Sequence, residues 1–102
     1  MRIVTDTVTV NGHRLVPGMA YATPINIQQV SPTRFLAAGD FALTAGGVQP
    51  VLRALIEEGV TVTAIHSHLV GESPTVTYIH FWADGTPEQV FTALRAALQV
   101  AR

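Results

Sequence analysis

The sequence contains no cysteine. That absence removes disulfides, thiolate metal sites and cysteine nucleophiles together. Lysine is missing as well: the six basic residues are all arginines, Arg2, Arg14, Arg34, Arg53, Arg95 and Arg102, scattered along the chain. With no basic cluster and a net charge of −1, there is no electrostatic footprint for nucleic acid. No apolar run approaches the roughly 18 residues of a membrane span. The N-terminus carries no signal-like pattern, so the expectation is a cytoplasmic protein with neither nucleic acid nor membrane as partner. Gly46-Gly47 is too short for a phosphate loop and reads as the start of a helix. Ser67 lacks the flanking glycines of a nucleophile elbow.

Charge is the scarcest commodity. Charged residues make up 13% of the chain and apolar residues 48%, against about 25% charged in ordinary soluble domains. A chain of 102 residues forms one domain, here residues 1–102, with a real but small core. So few charges cannot cover its surface. Either both faces of a sheet are covered, or one is buried against another subunit. The expected assembly is a homodimer about a two-fold axis.

The first half reads as strands. Arg2–Val10 alternates, and Asn11-Gly12 is the strongest short hairpin signal. His13–Val16 returns until Pro17-Gly18 stops it. Ala20–Thr23 and Ile25–Val30 look extended, and Ser31-Pro32 turns the chain into Arg34–Leu43. Thr44 then stands as an N-cap. Val48, Val51, Leu52, Leu55 and Ile56 recur at helical spacing, and Gly59 ends that helix. Thr86, Pro87 and Glu88 open a last helix, whose buried stripe is Val90, Phe91, Leu94, Ala97, Leu98 and Ala101. The class is α+β: an antiparallel sheet with two helices on one face. Its second half is a ferredoxin-like β-α-β-β-α run, preceded by N-terminal hairpin strands.

Between the helices lies the most informative stretch. Three of the four histidines, His66, His68 and His80, fall within fifteen residues. Thr61–His68 extended puts His66 and His68 on one face. A five-residue loop, Gly71–Thr75, then pairs Val70 with Val76, His68 with Tyr78 and His66 with His80. Directly opposed side chains have Cβ atoms about 4.5–5.5 Å apart, the scale of a shared metal or proton site. A one-residue slip would send His80 to the opposite face, so everything depends on register. Both parities of this hairpin are apolar, Val60, Val62, Ala64, Tyr78 and Trp82 against Ile65, Leu69, Ile79 and Phe81, as expected of a sheet covered on both sides.

Three readings of the histidines stand side by side. In the first, His66, His68 and His80 hold one divalent transition metal (zinc, nickel, copper or iron), with Glu72 as fourth ligand or general base. The run H-x-H-x-x-x-E has the shape of the first cupin motif, although cupins need a far longer spacing to their last histidine. In the second, no cofactor is present and the histidines move protons, oriented by Tyr78 or Glu72. Trp82 and Tyr78 would wall that pocket, and Asp40 would bring a carboxylate near it unless it is simply a turn residue. The substrate would be a compact organic molecule and the reaction a lyase, isomerase or hydrolase step; carriage without turnover is the alternative. In the third, the imidazoles only knit the hairpin together. His13, beside the Asn11-Gly12 turn, is expected to face solvent.

Several segments together resemble a known family. They are Gly39-Asp40-Phe41-Ala42-Leu43-Thr44, Val48 to Leu55, Val62-Thr63-Ala64-Ile65-His66-Ser67-His68, Glu72-Ser73-Pro74, His80-Phe81-Trp82-Ala83 and Leu94 to Leu98. With Val10-Asn11-Gly12-His13 and Pro17-Gly18-Met19, they are similar to the LppY/LpqO family of bacterial proteins. The H-x-H, Glu-x-Pro and H-F-W elements carry most of the likeness. The resemblance implies a functionally uncharacterised family whose members are often exported and carry two such modules in tandem. This chain shows one module, and a homodimer would restore the pair.

Overall fold

A computed structural model describes Met1–Arg102. In chain order the elements are β1 (Thr9–Val10), β2 (His13–Arg14), α1 (Pro17–Ala20), β3 (Ile25–Ser31), β4 (Arg34–Leu43), α2 (Ala45–Glu57), β5 (Thr61–Ser67), β6 (Glu72–Ser73), β7 (Thr77–Gly85) and α3 (Pro87–Val100). The architecture is α+β, with two antiparallel sheets and three helices. The main sheet has the order β3-β4-β7-β5, so β7 lies between the two strands that α2 connects.

Alternation in β4 and β7 sets the two faces of this sheet. Phe41, Leu43, Ile79 and Phe81 point to one side and are buried under α2 and α3, against Val51, Leu55, Val90, Ala93, Leu94 and Ala97. Gly39 is required in that row: a Cβ there would run into the carbonyl of Pro24, whose oxygen accepts from the Asp40 amide at 3.1 Å. Gly59 closes α2 at φ 76°, the left-handed position expected of it. In α3 the predicted stripe holds at Val90, Leu94 and Ala97, with Leu98 and Ala101 packed against the core, and departs at one position. Ala93 is buried, whereas Phe91 lies on the flank, 45% exposed, edge-on to Phe35 at 5.8 Å.

The N-terminal segment differs from its reading as one long strand. Only Thr9–Val10 pairs regularly, and Arg2 makes an isolated bridge to Ala22. Asn11 and Gly12 take φ of 50° and 78°, the paired positive values of a tight hairpin turn. Pro17 does not stop the chain but opens the short helix α1, as its fixed φ allows at a first helical position. A small sheet, β2-β1-β6, results, and Val4, Val8, Ala20 and Tyr21 bury themselves against Ala42, Val76 and Tyr78. This lobe covers one end of the main sheet's second face. The other end, with Trp82 43% exposed, stays open. No helix is long and apolar enough to cross a membrane.

Candidate metal centre

β5 pairs with β7 as Ser67↔Thr77, His66↔Tyr78, Ile65↔Ile79 and Ala64↔His80. The expected register is therefore displaced by two residues: His66 faces Tyr78, and His80 sits diagonally from it. The cause is the connection. It is longer than a five-residue turn, because Glu72–Ser73 leaves the hairpin to join β1 in the small sheet. An even displacement conserves the face, so His66 and His80 remain on the same side. A bulge between Val62 and Ala64 then moves Val62 to the helix side, opposite Phe81. Val60 is buried there too, which corrects the expected grouping of both valines with the histidine face.

His68, one residue beyond the end of β5, completes the group. The His66 ring lies between its neighbours, with centroids 4.8 Å from His68 and 4.7 Å from His80. One nitrogen from each imidazole falls within 4.8 Å of the others. A tetrahedral zinc at about 2.0–2.1 Å from each would need them about 3.4 Å apart. The two rings with room to close that gap are His66 and His68, both exposed. His80 is half-buried, and its Nε2 is enclosed with no hydrogen-bond partner. A buried polar atom left without a partner is uncommon and calls for one.

The remaining site residues take distinct positions. Tyr78 is buried; its hydroxyl donates to the Ala20 carbonyl at 2.5 Å. Its ring lies flat against His68, centroids 3.9 Å apart and planes 9° from parallel. Burial, then the charges of Asp40 and Glu72, pushes the phenol up to about 12, so it stays protonated through the neutral range. Glu72 is buried on β6. Its Oε1 accepts from the Val76 amide at 2.8 Å and its Oε2 has no partner; it stands outside the three-nitrogen group. Asp40 is not a turn residue: it lies within β4, directly across from His80. Trp82 follows two residues after His80 on the same face, opposite Ala38. His13 is exposed on β2. Asp40's place opposite His80 follows from the β4–β7 register. The sequence signal of it was an aspartate between the apolar residues Phe35–Ala38 and Phe41–Leu43 of that strand.

A family model, DUF1529, described as Domain of Unknown Function (DUF1259), matches residues 2–100. No curated protein and no solved structure matches the chain.

Proposed function

The chain belongs to the DUF1259 family of domains of unknown function, and on that footing we propose that it binds a divalent transition metal through His66, His68 and His80. The observation that carries this reading is the convergence of three imidazole nitrogens within 4.8 Å, one of them the ring whose Nε2 is buried without a partner. Imidazole suits zinc, nickel, copper or iron. Three neutral ligands leave coordination positions open, as in catalytic rather than closed structural sites. A bound metal would polarise an oxygen of a small organic ligand, the basis for lyase, isomerase or hydrolase chemistry. Carriage without turnover is the second reading. It is supported by the engagement of two candidate proton-transfer groups: the Tyr78 hydroxyl is held by Ala20, and one Glu72 oxygen by Val76.

The H-x-H, Glu-x-Pro and H-F-W elements support naming the family LppY/LpqO. The assembly that fits is a homodimer joined edge to edge through β3. That edge strand, Ile25–Ser31, carries no charge and no proline, the devices that ordinarily protect an edge. Beside it Ile27 and Phe91 are 43% and 45% exposed.

Protein purified without a polyhistidine tag tests the metal reading. A ligand bound only by the folded state raises the melting temperature, and raises it further as its concentration increases. Zinc or nickel is expected to do so for the wild type and for His13→Ala, but not for His68→Ala. The shift should fade as imidazoles become protonated at acid pH, because a metal and a proton compete for the same lone pair. Unchanged melting curves with zinc, nickel, copper and manganese would overturn it.

A further inference from the structure

The histidines sit at a border on the sheet's second face. On one side the N-terminal lobe covers Tyr78; on the other the sheet surface continues uncovered. Across that open strip, register places Asn26, Ala38 and Trp82 in one row, and Gln28, Leu36 and Asp84 in the next. Asn26, Gln28, Leu36, Ala38 and Trp82 line a cleft of about 300 Å³, at the small end of the range for small-molecule sites. We propose that this cleft seats a compact planar organic molecule, stacked on Trp82, that turns an oxygen donor toward the metal at His66, His68 and His80. The proposal rests on the metal reading above.

Distance fixes the size of the ligand. Trp82 and His80 are two residues apart on one strand, about 7 Å along it. A single ring with one donor-bearing substituent spans that gap. Shape fixes its planarity. Ala38 provides a low floor opposite the indole, which is 43% exposed, and aromatic faces bind flat partners by offset stacking. Charge fixes its polarity. The only cation on the strip, Arg34, is paired with Asp84 at 2.7 Å, and the carboxylate of Asp40 stands opposite His80. No free cation remains for a phosphate, so negative charge is tolerated only at the metal end. Asn26 and Gln28 supply uncharged hydrogen-bonding groups on the rim.

Trp82 is the chain's sole tryptophan, so its emission reports on this cleft alone. Benzohydroxamate and acetohydroxamate share one metal-binding group and differ by the ring. Zinc-loaded protein should bind benzohydroxamate roughly tenfold more tightly, with saturable quenching of Trp82. Ala38→Leu should remove that preference while keeping the zinc-induced melting shift. Should Ala38→Leu fail to fold, Trp82→Ala should show the same loss, read from hydroxamate-induced melting shifts. A zinc shift with equal affinity for the two hydroxamates overturns the cleft and leaves the metal reading intact; no zinc shift overturns both. Preference for phenyl phosphate over benzohydroxamate would overturn the polarity. Light scattering in which Trp82→Ala halves the mass would assign the strip to a second copy of the chain and overturn the ligand.

Discussion

At the scale of single residues, Tyr78 decides how the site is held. Its ring is a plate against which His68 lies flat, and its hydroxyl ties that plate to the N-terminal lobe through Ala20. Tyr78→Phe keeps the plate and deletes the tie. The Ala20 carbonyl would then be buried without a partner, a loss of about 1–3 kcal/mol in chemical denaturation. The same hydroxyl gives the fold an alkaline limit. Its ordinary value of 10.0 rises to about 12 in the folded protein, so between these values the folded state holds a proton that the unfolded chain releases. Stability present below pH 10 therefore falls as pH rises toward 12. Metal-free wild type should lose its advantage over Tyr78→Phe across that window, and parallel pH curves for the two proteins would contradict this.

At the scale of elements, the two long helices begin differently although both follow a threonine. Thr86 accepts from the Gln89 amide at 3.2 Å, and Gln89 Oε1 accepts from the Thr86 amide at 2.9 Å, a reciprocal cap. Thr44 makes no side-chain capping bond. Thr86→Ala should cost about 1 kcal/mol and Thr44→Ala only a few tenths in thermal denaturation; equal losses would contradict the contrast. Local rules of this kind were legible in the sequence. Both helix starts, the Gly59 stop, the Asn11-Gly12 turn and strands β3 and β4 follow from propensity and period. What escaped was set by partners remote in the chain. The displaced β5–β7 register depends on β6 pairing with β1, and no local pattern encodes a pairing between Thr9 and Ser73. The extra residue at the Val62/Ala64 bulge is equally silent. The three histidines were nonetheless found together, because a displacement of two residues leaves their faces unchanged.

At the scale of the molecule, scarce charge and an unprotected edge belong to one expectation. If two copies pair through β3, light scattering should return twice the single-chain mass of 10.9 kDa. Ile27→Lys, beside the exposed Phe91 on that edge, should return the single-chain value. A wild type that stays at the single-chain mass at micromolar concentration would remove the dimer. Residues Leu69 to Val76 connect His68 to the returning strand and also lend the N-terminal lobe its third strand, with Glu72 opposite Val10 and Ser73 opposite Thr9. One short segment thus serves two neighbours. Opening the small sheet would release His68 from its place beside Tyr78, and a metal holding His68 would oppose that opening. The two events would then act as a single cooperative unit in the native-state fluctuations of the protein. Amide exchange at Thr9 and Val10, whose strand contains no ligand, should therefore slow when zinc is added, and slow no further in His68→Ala.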